Sequence, residues 1–266
     1  MNLIEHGEES ITQEDRCNIS SRYKAVTKAI NQKFYDSDSE VRHSLYVGSY
    51  GRGTAINTSD IDIMVILPEE EYLRYDDYLE NGQSCLLQAV RNAVRNKYPR
   101  SDIRADGQVV KINFSDGIRF EILPAFEAAT YSGVVYKYPD SNAGGRWLST
   151  NPKAEQEAML RKNKISKGLL FDTCKHLRRI RDNYFSSYHL SGIVIDSFTY
   201  EAIGNWGWSD SQSNSDYAQE AYAKRLLDCI KSYGGSCYLN APGSGDRVSM
   251  ESSRECLEKV LKKLAE

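Results

Sequence analysis

Apolar residues recur at helical spacing from early in the chain. Ile19, Tyr23, Val26, Ile30 and Phe34 share one face, which predicts an amphipathic helix over about residues 12–35. Asp36-Ser37-Asp38-Ser39 then reads as a loop. Next the pattern becomes strand-like. Val41 to Val47 reads as a strand, Gly48 to Thr58 as a turn or loop rich in Gly, Ser, Thr and Asn, and Asp60 to Leu67 as a second strand that Pro68 ends. A polar stretch follows, helical or irregular. Leu86, Val90, Ala93 and Lys97 predict a helix near residues 83–98 that faces a sheet. Val109 to Phe114 and Ile118 to Leu123 are strand-like runs, with Ser115-Asp116-Gly117 as the hairpin turn between them. After Pro124 the chain reads as irregular through Gly144-Gly145 to Asn151-Pro152.

Beyond Pro152 helical periodicity dominates. Ile165, Leu169, Leu177, Ile180 and Tyr184 form one series, Val194, Phe198 and Ala202 a second, and Leu257, Val260, Leu261 and Leu264 a third. Segments 205–216 and 240–250 read as loops. The expected organisation is therefore an α/β lobe over 1–150, with an N-terminal spine helix, followed by a helical lobe over 151–266. No internal repeat and no long low-complexity segment interrupts it.

The chemistry concentrates in the first lobe. Along Asp60 to Leu67 side chains alternate between faces, so Ile61, Ile63, Val65 and Leu67 form a core face while Asp60 and Asp62 share the other. Two carboxylates held this close repel unless a cation or a shared proton relieves them. Hard oxygen ligands of this kind suit Mg²⁺ or Mn²⁺. Ahead of them, Val47-Gly48-Ser49-Tyr50-Gly51-Arg52-Gly53-Thr54 is a glycine-rich turn whose backbone N–H groups and Ser49 hydroxyl suit phosphate oxygens. Its spacing is not that of a Walker P-loop. In Arg119 to Pro124, Phe120 and Ile122 face one way, Arg119 and Glu121 the other. Glu121 would supply a third carboxylate to a two-metal site, or lie on an exposed strand face opposite a basic residue.

Bulk properties narrow the class. The 266 residues suit one large domain or two small lobes. With 40% hydrophobic and 27% charged residues this is an ordinary globular composition. A net charge of -3 argues against a strongly basic nucleic-acid binder. The six cysteines form no C-x-x-C and no zinc spacing with the four histidines, as expected for thiols in a reducing cytoplasm. The acidic start, MNLIEHGEES, lacks the apolar stretch of a signal peptide, and no apolar run of membrane-spanning length occurs.

Together these residues resemble the DNA polymerase beta-like nucleotidyltransferase superfamily, and more closely its cyclic GMP-AMP synthase and bacterial CD-NTase branch. GSYGRGTAINTSDIDIMV matches the branch's Gly-Ser, loop, acid-x-Asp pattern. RFEILPAF resembles its third-acid strand, and GGRWLSTNP its Trp and Asn-Pro segment. Cys174-Lys175-His176-Leu177 resembles a helix carrying a phosphate-binding lysine, and Ser186-Ser187-Tyr188-His189-Leu190 a serine–tyrosine segment. The likeness spans most of residues 40–205 and is weak afterwards.

The resemblance implies an α+β fold: a polymerase beta-like lobe with a mixed sheet and flanking helices, a helical C-terminal lobe, and an active site in the cleft between them. It implies that Asp60, Asp62 and Glu121 are catalytic and hold two Mg²⁺ (or Mn²⁺) ions. Gly48 and Ser49 would hold the triphosphate, Lys175 and Ser187 would reach the same phosphates, and Tyr188 would stack on a base. Lys162, Lys164, Lys167, Arg178 and Arg179 compete for the role of Lys175, and Tyr188 has a packing role as its alternative. Two departures stand out: Glu121 occupies a place where Asp is usual, and the animal enzyme's His and Cys-Cys zinc insertion has no counterpart.

The implied function is a cytoplasmic synthase that makes a cyclic di- or oligonucleotide from NTPs (ATP, GTP or pyrimidine NTPs). It would release pyrophosphate and produce an antiviral second messenger for a separate effector protein. No membrane association and no strong nucleic-acid binding are expected. A nucleotidyltransferase acting on tRNA, a protein or a small molecule remains open, as does a nucleotide-binding pseudoenzyme.

Overall fold

The computed structural model describes residues 3–7, 10–131, 133–209, 216–234 and 237–266. The chain divides into two units. A sheet unit comprises Thr12–Gly51 and Ser59–Asn151, and a helical unit comprises Met1–Ile11, Arg52–Thr58 and Pro152–Glu266.

The sheet unit opens with α1 (Gln13–Phe34). Thr12 caps it by accepting the Asp15 N–H, and Glu14 and Asp15 in the first turn complement the helix dipole. Three strands follow in space rather than in sequence. β2 (Ile61–Ile66) pairs antiparallel with β1 (Ser44–Tyr46) on one side and parallel with β5 (Arg119–Thr130) on the other. Beyond β5 lie β4 (Val109–Asn113) and then β3 (Asp102–Asp106), both antiparallel. The far half of β5 pairs with β6 (Gly133–Asp140), which pairs with β7 (Arg146–Thr150). The helices α1 and α4 (Gly82–Lys97) pack together, with α1 against β2 and α4 against β3 and β4.

Register sorts the two faces of this sheet. Ile63, Ile122, Val110 and Ala105 lie in one row across β2, β5, β4 and β3, and Ile61, Phe120, Ile112 and Ile103 in another. All but Ala105 are buried. Residues in register point to the same face, so the intervening rows face the other way. One holds Asp62, Glu121, Lys111 and Arg104; the next holds Arg119, Asn113 and Asp102. The polar character ends two residues on, where Met64 packs with Val47, Ala125 and Tyr136 in a second apolar cluster.

Several expectations change here. The first strand is shorter than Val41–Val47, because Asn31 donates to the carbonyls of Ser39 (2.8 Å) and Arg42 (2.9 Å) and holds that segment as a loop. His43, at φ 60°, stacks on Tyr35. The stretch after Pro124 is not irregular: β5 runs through the proline and β6 and β7 follow. Pro124 is tolerated because β5 changes antiparallel partner around it. Pairing with β4 ends at Ile122 and pairing with β6 begins at Phe126, so the missing N–H breaks no ladder bond on that side. Between β2 and α4 the polar stretch forms α3 (Glu69–Asp76).

The helical unit contains α5 (Pro152–Ile165), α6 (Leu169–Tyr184), α7 (Gly192–Ala202), α8 (Asp216–Ser232) and α9 (Arg254–Ala265). Pro152 opens α5, where its fixed φ fits and its missing N–H costs nothing. Leu177, Val194, Phe198, Leu226, Leu257 and Val260 meet in one core. The N-terminal strap belongs to it: Ile4 is buried there, and the Gly7 N–H donates to Asp172. Segment 240–250, expected as a loop, carries a small hairpin of β8 (Tyr238–Asn240) and β9 (Arg247–Ser249). Of segment 205–216, residues 210–215 lie outside the described residues. No helix among the described residues is long and apolar enough to cross a membrane.

A buried ionic hub ties the helical unit together. Asp196, on α7, is fully buried and accepts from Arg178 (2.7 and 3.0 Å), Arg52 (2.8 Å) and the Thr54 hydroxyl (3.0 Å). Arg52 also donates to Glu155 at 2.9 Å. Thus the middle of the Gly48–Thr58 loop is buried polar structure and not solvated turn.

Candidate active site

The site-bearing turn follows β1 directly. The Val47 N–H donates to the Asp62 carbonyl (2.9 Å), and Gly51 N–H closes a single helical turn, α2 (Gly48–Gly51), onto the Val47 carbonyl (2.9 Å). Gly48 has φ +57°, and a Cβ there would fall on the Asp62 carboxylate. Only glycine permits both the left-handed backbone and this approach. The turn carrying Ser49 is thereby set against the acid.

Gly48→Ala is expected to cost about 1–2 kcal/mol in backbone strain alone and to displace the Asp62 side chain. Nucleotide incorporation should fall more than about tenfold, as misplacing a reacting group by an ångström costs of that order or more. Denaturant unfolding and an incorporation assay on the same preparation check the two effects.

The acids gather on the polar face of the sheet. Asp62 and Glu121 are direct cross-strand partners, and Asp60 stands two residues before Asp62 on the same side. Asp60 Oδ1 lies 2.6 Å from Arg119 Nε, an ion pair without hydrogen-bond alignment, and this buried oxygen has no hydrogen-bond donor. Glu121 Oε1 lies 3.4 Å from Lys111 Nζ, which also contacts Asp106 at 2.8 Å. The hydrogen bond to Asp106 leads the causes that raise the Lys111 pKa; partial burial opposes it, and the Glu121 charge adds to the rise.

Among the described residues, no three His, Cys, Asp or Glu side chains are arranged as a ready metal cage. The donor chemistry nonetheless fits a hard divalent cation: three carboxylates on one face, two in register, one with an oxygen lacking a hydrogen-bond donor. A basic residue opposite Glu121 is one of the two readings the sequence allows, and Lys111 stands there, in the register that the hairpin turn at residues 115–117 sets. Arg119 beside Asp60 is the basic partner that the sequence does not point to.

The candidates in the helical unit differ in availability. Lys175 is half-buried on α6. Arg178, one of its competitors, is buried and committed to Asp196, which removes it as a phosphate ligand. Arg179 donates to Ser10 (2.8 Å), and the Lys162 ammonium sits 5.8 Å from the Tyr200 ring centroid. Ser187 and Tyr188 lie in the exposed turn after α6, where the Tyr188 N–H donates to the Phe185 carbonyl. Tyr188 is 40% exposed; its ring lies edge-on to Phe185 at 6.4 Å between centroids, and the Lys259 ammonium stands 4.7 Å from its ring centroid. In the sheet unit, Trp147 packs on Tyr72 and Phe126 and donates to Asp76.

The family model described as SMODS, Second Messenger Oligonucleotide or Dinucleotide Synthetase domain, matches residues 8–163. No curated protein matches. Among solved structures, the Elizabethkingia meningoseptica CdnE cyclic dinucleotide synthase with GTP and Apcpp is similar at TM-score 0.68 and 16% identity, covering 96% of this chain and 93% of that one. The Vibrio cholerae DncV cyclic AMP-GMP synthase in complex with nonhydrolyzable GTP has TM-score 0.68 and 13% identity, covering 96% and 85%. The E. coli MS115-1 CdnC in its HORMA-deltaN complex has TM-score 0.62 and 13% identity, covering 96% and 84%. At these identities the likeness establishes the fold, a polymerase beta-like mixed sheet with flanking helices. The family match covers more than half of the chain, which therefore belongs to the Second Messenger Oligonucleotide or Dinucleotide Synthetase family of nucleotidyltransferases.

Proposed function

We propose that this chain joins nucleoside triphosphates into a cyclic di- or oligonucleotide, releasing pyrophosphate at each bond formed. The observation that carries the reading is the in-register pair of Asp62 and Glu121, with Asp60 beside them and the Gly48-Ser49 turn against Asp62. In this reading Asp60, Asp62 and Glu121 hold two Mg²⁺ or Mn²⁺ ions. When bound, such ions supply charge neutralisation and Lewis acidity for in-line phosphoryl transfer. Gly48 and Ser49 hold the donor triphosphate through backbone N–H groups and a hydroxyl.

Lys175 offers a compact charge to phosphate oxygens, and Ser187 a further donor. Tyr188 has the exposure to stack on a base. The neighbours described as binding GTP or nucleotide analogues support the substrate class. The product would serve as a cytoplasmic second messenger in antiviral, CBASS-type defence and act on a separate effector protein. That one similar chain, CdnC, was solved as a HORMA complex fits a system of several proteins.

The test is direct. Purified protein is incubated with labelled NTPs and Mg²⁺ or Mn²⁺, then with phosphatase. A phosphatase-resistant nucleotide is the expected product. Label found only on added tRNA or protein would replace this reading with macromolecule modification, and no label under any condition would favour a nucleotide-binding pseudoenzyme.

A further inference from the structure

Two of the three acids already hold a cation of the chain's own. Arg119 Nε lies 2.6 Å from Asp60, and Lys111 Nζ lies 3.4 Å from Glu121. These contacts are built into the sheet. Lys111 is in register with Glu121, and Arg119 stands two residues before Glu121 on the same face, beside the start of β2. Three carboxylates gathered here repel one another, and the two basic side chains relieve that repulsion.

We infer that Arg119 and Lys111 are resident cations of the acid cluster, and that a divalent ion enters by displacing Arg119 from Asp60 and Lys111 from Glu121. The inference rests on the proposed reading of the acids as metal ligands. The contacts suit a displaceable role. Arg119 is 55% and Asp60 41% exposed, Lys111 43% and Glu121 28%. Ion pairs between side chains this open contribute little, far less than a dication gains from three carboxylates. Asp60 Oδ1 faces the arginine without a hydrogen-bond donor, so this oxygen is open to a cation as ligand. Lys111 keeps Asp106 as a second partner at 2.8 Å. The metal affinity of the site is then set by the two basic residues as much as by the acids.

The probe is Mn²⁺ alone, titrated without nucleotide and followed by the electron paramagnetic resonance of the free ion. Compared are the unmodified protein, Arg119→Gln, Lys111→Gln, the double variant and an Asp60→Asn/Asp62→Asn control. Each basic substitution should tighten Mn²⁺ by about three- to tenfold, the effect of removing one nearby positive charge, and the double variant by more. Thermal unfolding should be nearly unchanged, since both side chains are half-exposed. Unchanged or weaker Mn²⁺ binding in Arg119→Gln would overturn the inference, because the arginine would then orient Asp60 and not compete for it. Equal Mn²⁺ binding by the unmodified protein and the Asp60→Asn/Asp62→Asn control would overturn the metal-ligand reading itself, and the inference with it.

Discussion

Asp62→Ala is expected to lower nucleotide incorporation by at least about 1,000-fold while leaving the fold intact, a loss typical of removing a central electrostatic group from a phosphoryl-transfer site. Asp62 is the acid on which the site converges. Its carboxylate lies against Gly48, its carbonyl receives the Val47 N–H, and its cross-strand partner is Glu121. The backbone hydrogen bond survives the substitution, so β1 and β2 stay paired. Removing one of three neighbouring carboxylates also relieves repulsion, and stability should hold or rise slightly. Asp62→Asn separates charge from shape: it keeps the volume against Gly48 but supplies no negative ligand, and should be nearly as inactive. Incorporation within about tenfold of the unmodified protein, in either variant, would refute the assignment of Asp60, Asp62 and Glu121 as the reacting centre.

Much of this site was legible because it is local. Alternation along Asp60 to Leu67 separates the acids from the core residues of β2, and that pattern needs no knowledge of distant partners. Glu121 was legible through the same alternation, and the hairpin turn at Ser115-Asp116-Gly117 set its register. What alternation did not supply was where the strands end. Pro124 read as a terminator because the rule assumes one partner throughout a strand, whereas β5 exchanges β4 for β6 around it. Nor did it supply the buried hub. Arg52 and Thr54 lie 144 and 142 residues from Asp196, and each alone reads as a solvated polar residue. Arg178 competed with Lys175 for a phosphate role because burial is a property of the fold.

Asp196→Ala is expected to destabilise the helical unit by about 3–5 kcal/mol, the cost of removing one partner from a buried ion pair. Arg178 is 1% exposed and Arg52 8%, so neither guanidinium can turn to water when Asp196 is gone, although Arg52 keeps Glu155. The Thr54 hydrogen bond to Asp196 is lost as well. Trp206 and Trp208 belong to the core of this unit, so urea unfolding followed by tryptophan fluorescence, in a Trp147→Phe background, reports on it selectively.

The acid side of the pH profile gives an independent check. Burial pushes the Asp196 carboxyl up, but Arg178 and Arg52 together outweigh it and hold the group at about 2. A carboxylate lowered from its ordinary 3.8 stabilises the fold above that value and loses the contribution as pH falls toward 2. The loss should be on the order of 2 kcal/mol between pH 4 and pH 2. Glu155 runs the opposite way: burial raises its pKa despite Arg52, so its part in stability declines as pH rises through the raised value. An Asp196→Asn variant should therefore lose the steep acid limb while keeping the shallower Glu155 effect above it. If both proteins show the same limb between pH 4 and pH 2, the hub is not what holds residues 52–58 and α7 in place.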